Sequence, residues 1–182
     1  MSAQQAGSSR RTWLAAAGVA VVAGGTAYAL RSPSGASGER GVVETAFWQQ
    51  RFGQLDGSML SMSAFRGKPL VLNFWATWCP PCIAELPLLN AFFLENKAKS
   101  WQVVGLAVDQ PSSVKRFLVE NPLSFPVALA GAAGTDLSRS LGNLSGGLPF
   151  TVVFGPEGEI RHRKIGRLSP SDLEALRGMD VA

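Results

Sequence analysis

The sequence contains little cysteine and histidine, with two cysteines and one histidine among 182 residues. Two cysteines can close only one disulfide bond, which excludes a fold held together by several disulfides. A zinc site takes four ligands, and the single histidine, His162, lies far along the chain from both cysteines. We therefore expect no metal site, and the cysteine pair is better explained by chemistry than by structural support.

Neither sign of charge dominates the chain. Lys and Arg number 17 against 13 Asp and Glu, a formal net charge of +4. The basic stripe or basic–aromatic motif that is typical of nucleic-acid binding is absent, so we expect no nucleic-acid partner. There is also no internal repeat. The length and an apolar fraction of 46% indicate one globular domain with a tail.

Charge is missing entirely from residues 13–30, which follow Arg10 and Arg11. A basic segment before an apolar one is typical of an export signal or a membrane anchor. The 18 apolar-rich residues reach the lower limit for crossing a bilayer. Ala27 to Ala29 offers a cleavage site, and residues 9–14 resemble a twin-arginine signal. An uncleaved anchor, a cleaved general signal and a twin-arginine signal all remain open.

Each of these interpretations places the folded domain outside the cytoplasm. We expect a domain in the bacterial periplasm, tethered to the inner membrane by the N-terminal segment. Residues 1–30 are then the export signal or anchor. Residues 31–41, rich in Gly, Ser and Pro, are predicted to form a flexible linker. The globular domain is predicted to span residues 42–182.

Within that domain, apolar patterning predicts alternating strands and helices of an α/β fold. Strands are predicted at residues 47–52, 59–62, 70–75, 103–108, 125–129, 150–154 and 160–165. Helices are predicted at residues 79–97, 112–121 and 136–141 and from Ser169 onward. The first two strands can pair as a hairpin.

Both cysteines lie in the block Phe74–Cys82, which reads Phe-Trp-Ala-Thr-Trp-Cys-Pro-Pro-Cys. The block begins in the last two residues of a predicted buried strand and ends in the first turn of a predicted helix. Free N–H groups and the helix dipole at that position stabilise a thiolate and lower its pKa. Because the thiolate is the species that attacks disulfides, the pair is predicted to be a dithiol that closes and reopens.

This block resembles the active-site motif of the thioredoxin superfamily, and within it that of the membrane-linked TlpA/ResA-like thiol-disulfide oxidoreductases. Residues 147–151, Gly-Leu-Pro-Phe-Thr, resemble the superfamily's second signature, in which the peptide bond before the proline is cis and faces the dithiol. Residues 155–158 resemble its closing hairpin. The resemblance implies a thioredoxin fold, with a central mixed sheet flanked by helices. It also implies an N-terminal hairpin and an extra helix and strand near residues 111–129.

The resemblance also implies roles for residues of the site. Cys79, the more exposed sulfur, is the nucleophile, and Cys82 is the resolving thiol. Glu85 lies on the same side of the helix as Cys82 and is expected to carry its proton. Minimal thioredoxins use a buried aspartate on the preceding strand, where this chain has Asn73, which cannot titrate. An exposed, solvated Glu85 is the alternative.

Residues around the dithiol complete the predicted site. Pro80 and Pro81 lack N–H groups and cannot donate a hydrogen bond to the thiolate. Of the two flanking tryptophans, Trp75 is predicted to be buried, while Trp78 lies at the surface and meets substrate. The resemblance places Leu148 and the cis Pro149 in the substrate-binding role.

The resemblance further implies a reductant of protein disulfides. Its targets would be apocytochromes before haem attachment or copper-site assembly proteins. Electrons would come from a membrane thiol transporter of the DsbD or CcdA kind. No cofactor is expected beyond the redox-active disulfide Cys79–Cys82.

Three alternatives stay open at this point. The first is an oxidant that introduces disulfides. The second is a peroxidase of the peroxiredoxin type, although that family has a threonine three residues before its cysteine and here Thr77 lies two before Cys79. The third is a metal or haem chaperone that uses the same fold without catalysis.

Overall fold

The computed structural model describes residues 35–179 of the chain. The chain divides into two compact units, Met1–Glu39 and Arg40–Ala182. The predicted export segment, residues 1–30, lies outside the described residues. Between residues 35 and 179, no helix is long and apolar enough to cross a membrane.

The described residues contain seven strands and five α-helices. The strands are β1 (Arg51–Gly53), β2 (Met59–Ser61), β3 (Leu70–Trp75), β4 (Gln102–Ala107), β5 (Val127–Leu129), β6 (Phe150–Phe154) and β7 (Ile160–Ile165). The helices are α1 (Gly35–Trp48), α2 (Pro80–Asn96), α3 (Pro111–Glu120), α4 (Ala133–Ser140) and α5 (Pro170–Arg177).

The sequence predictions fail at helix α1. Residues 35–41 belong to this helix, so the predicted flexible linker was wrong for them. The strand predicted at residues 47–52 was also wrong at its start, because Phe47 and Trp48 end the helix. A strand would direct these neighbours to opposite faces, whereas both rings pack on Phe154, with centroids 4.7 and 5.0 Å away. The division of the chain at residues 30 and 41 stays a prediction.

All seven strands form one mixed sheet in the order β2-β1-β5-β4-β3-β6-β7. Strands β3, β4 and β5 run parallel in its middle. Strand β6 runs antiparallel to both β3 and β7. The predicted N-terminal hairpin is present as β1 and β2. The predicted extra helix and strand are present as α3 and β5.

Strand β3 is buried on both faces, and its residues alternate between two apolar cores. Val71 and Trp75 pack with residues of α2, α3 and α5. Leu70, Leu72 and Phe74 pack on the other face with residues from the end of α1. Asn73, being two residues from both Val71 and Trp75, faces helix α2 from the middle of the sheet.

Candidate active site

The two cysteines lie where helix α2 begins. Cys79 is the N-cap residue, Pro80 is the first helical residue, and a disulfide bond joins Cys79 to Cys82. Cys79 is 4% exposed and Cys82 is fully buried. The order of exposure is therefore the predicted one, but the margin is small. No side chain caps the helix, Pro80 and Pro81 have no N–H, and the Ile83 N–H bonds to the Cys79 carbonyl. The Cys82 N–H is therefore the main-chain donor at the helix start that can stabilise a thiolate at Cys79.

Pro149 lies at the same edge of the sheet as the cysteine pair. Strand β6 starts one residue after it, and Phe150 pairs with Phe74 close to the end of β3. The Leu148–Pro149 peptide bond is cis, as predicted. Leu148 packs against the apolar core that contains both cysteines. Two segments that are 67 residues apart in the chain therefore meet at one site.

The surface of the site is apolar. Trp78 is 65% exposed, and Pro80 and Pro81 are exposed beside it. Trp75 is completely buried, with its ring centroid 5.4 Å from that of Phe117. The predicted burial of Trp75 and exposure of Trp78 are confirmed, and contact of Trp78 with substrate stays a prediction.

Glu85 is a fully buried carboxyl group, one turn after Cys82 on helix α2. Its Oε1 accepts a hydrogen bond from Asn73 Nδ2 at 2.7 Å. Its Oε2 accepts one from the main-chain N–H of Leu168 at 2.6 Å. The solvated glutamate that was the alternative is thereby excluded.

The protonation of Glu85 depends on two opposing effects. Burial raises the pKa of this carboxyl above its ordinary value of 4.5, because it penalises the charged form. The hydrogen bonds from Leu168 and Asn73 and the charge of Arg167 act in the opposite direction without cancelling the rise. Glu85 is thus able to take up a proton closer to neutral pH than an ordinary glutamate.

The loop that supplies the Leu168 N–H is fixed by the cap of helix α5. The Ser169 hydroxyl accepts a hydrogen bond from the Asp172 N–H, and the Asp172 carboxylate accepts one from the Ser169 N–H. This capping box holds the residue next to Leu168 in place. Sequence reasoning missed the role of Leu168, because a main-chain donor leaves no signal in a side-chain pattern.

Asp109 fastens the loop before the cysteines to the end of strand β4, and it was also missed. Its Oδ2 accepts hydrogen bonds from the Thr77 hydroxyl at 2.6 Å and the Thr77 N–H at 2.8 Å. Its Oδ1 accepts one from the Gln110 N–H at 2.6 Å. Strands β3 and β4 are parallel neighbours, so the residues after their carboxyl ends lie side by side. The sequence could therefore have indicated this contact, because Thr77 and Asp109 each follow one of two predicted central strands.

We expect Asp109→Ala to destabilise the fold by about 2 kcal/mol, since three donors lose their acceptor. Partial burial opposes ionisation of Asp109, but the bonds from Thr77 and Gln110 lower its pKa below 3.8 overall. Their contribution to stability is therefore present above pH 3.8 and is lost as the pH falls through the lowered value. Chemical denaturation at several pH values measures this. Asp109→Asn, which keeps an acceptor but no charge, is the control, and an Asp109→Ala protein as stable as the wild type contradicts the expectation.

The rest of the described chain offers no second chemical site of this kind. Within residues 35–179, no group of three or more His, Cys, Asp or Glu side chains could hold a metal ion. His162 lies exposed on the edge strand β7.

Comparison with known proteins places these features in a family. Residues 45–163 match the AhpC/TSA family. The chain is 33% identical over 122 residues to the thiol-disulfide oxidoreductase ResA of Bacillus cereus. That alignment covers 66% of this chain and 68% of the relative.

Solved structures show the same likeness. A thiol:disulfide interchange protein of the thioredoxin family from Chlorobium tepidum aligns with a TM-score of 0.63 and 27% identity, covering 73% of this chain and 93% of that one. StoA from Bacillus subtilis aligns with a TM-score of 0.56 and 26% identity, covering 70% and 92%. The predicted α/β thioredoxin-like fold, a mixed sheet with flanking helices, is confirmed.

Proposed function

The chain belongs to the AhpC/TSA family within the thioredoxin superfamily and is a thiol-disulfide oxidoreductase; on this premise we propose that it reduces protein disulfides outside the cytoplasm. One observation carries the proposal. The Cys79–Cys82 pair begins helix α2 at the sheet edge where Pro149 lies, one turn before the buried carboxyl of Glu85.

The first proposed step is attack by the Cys79 thiolate on one sulfur of a substrate disulfide. The substrate S–S bond breaks, a bond forms between Cys79 and that sulfur, and the other substrate sulfur leaves as a thiolate. The Cys82 N–H and the positive end of the α2 dipole stabilise the attacking thiolate. Pro80 and Pro81 contribute no N–H group, so the Cys82 N–H is the first main-chain donor after Cys79.

The second proposed step is resolution by Cys82. Its thiol gives a proton to Glu85, and the resulting thiolate attacks the Cys79 sulfur and releases the second substrate thiolate. Two electrons have then passed from the dithiol to the substrate, and the Cys79–Cys82 disulfide remains. Burial of Glu85 supports this role, because a carboxyl whose pKa is raised accepts a proton more readily.

We propose that no bound cofactor takes part. The two sulfurs take up and release the electron pair by making and breaking their own bond. The disulfide of Cys79 and Cys82 is itself the redox centre.

Substrate contact is proposed for Leu148, Pro149 and Trp78. Within residues 35–179, the main-chain N–H and C=O of Leu148 have no hydrogen-bond partner. An extended substrate segment beside Cys79 can pair with them. The exposed ring of Trp78, the residue before Cys79, offers apolar area for the same substrate.

Trp78→Ala should therefore raise the KM for a protein disulfide about tenfold, the usual cost of losing one aromatic anchor. The rate with a small dithiol such as dithiothreitol should hardly change, because such a reagent needs no docking surface. Steady-state assays with both substrates measure the two effects. The control variant is Val119→Ala, which removes an exposed apolar side chain on α3, away from the cysteines in the chain. Trp75→Phe is not a suitable control, because Trp75 is buried. An unchanged KM for the protein substrate contradicts the docking role.

Partners and location are proposed from the sequence and the relatives. We propose apocytochromes or copper-site assembly proteins as targets and a membrane thiol transporter of the DsbD or CcdA kind as electron donor. The basic and apolar residues 10–30 support export or anchoring at the periplasmic side of the inner membrane.

A test of the proposed direction uses a peptide with a Cys-x-x-Cys-His haem-attachment sequence, oxidised to its internal disulfide. The reduced full chain should reduce the peptide and end with its own pair oxidised, as followed by thiol labelling and mass spectrometry. A variant lacking both Cys79 and Cys82 is the control. The proposal fails if the peptide stays oxidised, or if the oxidised chain instead oxidises the reduced peptide.

A further inference from the structure

Asn73 makes an unequal set of hydrogen bonds beneath the dithiol. Its Nδ2 donates to Glu85 Oε1 at 2.7 Å and to Thr151 Oγ1 at 3.0 Å. Its Oδ1 is buried and has no partner among residues 35–179. The Thr151 hydroxyl donates to no group in the same part of the chain. An acceptor and a donor are therefore both left unused in a fully buried network, which is costly.

This arrangement suits only the ionised form of Glu85. A carboxylate accepts hydrogen bonds at both oxygens, and Asn73 and Leu168 provide the two donors. Once protonated, the carboxyl has an O–H group that requires an acceptor. In its present orientation the Asn73 amide offers that group a donor instead.

A half-turn of the amide resolves this conflict at Glu85, while it moves Nδ2 into the buried position where Oδ1 now has no partner. It places Asn73 Oδ1 where Nδ2 now lies, within reach of Glu85 Oε1 and Thr151 Oγ1. The Glu85 O–H and the Thr151 O–H can then both donate to Oδ1, while Leu168 continues to donate to Oε2. Each orientation thus matches one protonation state of Glu85.

We propose that the side-chain amide of Asn73 reverses whenever Glu85 gains or loses the proton of Cys82, which makes Asn73 a positioning residue for the resolving step. This inference rests on the proposed role of Glu85 as proton carrier. A fixed donor would favour only the carboxylate, whereas a reversible amide supports both forms and lets Glu85 take up the proton and return it.

Few other charges act on this network. Arg167, next to Leu168, is the charged group that acts on Glu85. Lys164 is opposite Thr151 in the sheet but is paired with Asp172 at 3.0 Å. On its own helix, Cys82 is uncharged in the disulfide. Asn73 and Thr151, which face Glu85 from β3 and β6, carry no charge.

The test is a pH titration of the oxidised, isotope-labelled full chain by NMR. The Glu85 carboxyl carbon reports its protonation, and the NOE between the Asn73 Nδ2 protons and the Thr151 side chain reports the amide orientation. We expect a strong NOE above the Glu85 midpoint and a weak one below it, with the same midpoint. An NOE of constant intensity through that midpoint overturns the switch alone, whereas a Glu85 that does not titrate overturns both the switch and its role as proton carrier.

A kinetic readout separates positioning from structural support. In Asn73→Leu the carboxylate loses a donor, so the pH midpoint of the resolving step should move upward by about one unit. Thr151→Val is the matched control, which removes only the hydroxyl and should move that midpoint less. An Asn73→Leu midpoint that equals the wild-type value contradicts the proposal.

Discussion

Replacing Cys79 with serine should reduce the rate of disulfide exchange to the uncatalysed background, a loss of about a thousandfold or more. A serine hydroxyl is not ionised near neutral pH and does not attack disulfide sulfur, so the first step has no nucleophile. Serine is close to cysteine in size and is a favoured N-cap residue, so the fold should tolerate the change although Cys79 is buried at the start of α2. Reduction of an insulin-type protein disulfide measures the effect.

Cys82→Ser is the informative control for that experiment. Cys79 can still attack in this variant, but nothing resolves the product, so a mixed disulfide with the substrate should accumulate and be detectable by mass spectrometry. The opposite pattern, with the trapped species in Cys79→Ser and none in Cys82→Ser, would reverse the roles of the two sulfurs.

Glu85→Gln should slow the resolving step about a hundredfold at neutral pH, the lower range for loss of a general base. The first attack should keep its rate, because it depends on the Cys79 thiolate and the start of α2. Stopped-flow tryptophan fluorescence follows the reaction. Acid quenching of samples at intervals, with the mixed disulfide counted by mass spectrometry, separates the two steps. The account is contradicted if both steps keep their wild-type rates.

The same variant should change how stability depends on pH. The pKa of Glu85 is raised by burial in the folded protein, so the folded state binds this proton more tightly than the unfolded state does. The wild type therefore loses stability as the pH rises from about the ordinary value of 4.5 through the raised one. Glu85→Gln has no carboxyl group to ionise and does not lose stability in this way. Its free energy of unfolding should therefore exceed that of the wild type above the raised pKa, and this difference should disappear at acid pH. Thermal unfolding between acid and neutral pH measures it, and parallel curves for the two proteins refute it.

Much of the fold could be predicted from the chain because its strongest signals are local. Strand β3 is a continuous apolar run buried on both faces, and Phe150–Phe154 and Ile160–Ile165 match their predicted bounds. Helix α1 could not be predicted in this way. Its first half is poor in helix-forming residues. At its end, Phe47 and Trp48 pack against Phe154, and a contact between residues so distant in sequence leaves no local signal.

The candidate site shows the same division. Cys79, Cys82 and Glu85 follow from one helix and one motif, so their proximity was predictable. Asn73 was recognised only as a residue that cannot titrate, because its bonds to Glu85 and Thr151 join three separate elements. Sequence spacing carries no information about contacts of that kind. The roles assigned to these residues stay predictions until they are tested.

The reduction potential of the Cys79–Cys82 pair tests the central claim most directly. Equilibrating the full chain with dithiothreitol or glutathione buffers, and counting free thiols at each ratio, gives its value. A reductant of protein disulfides should have a potential near that of thioredoxin, about −270 mV. A value towards about −120 mV, in the range of a strong oxidant, would contradict the account and identify a protein that introduces disulfides.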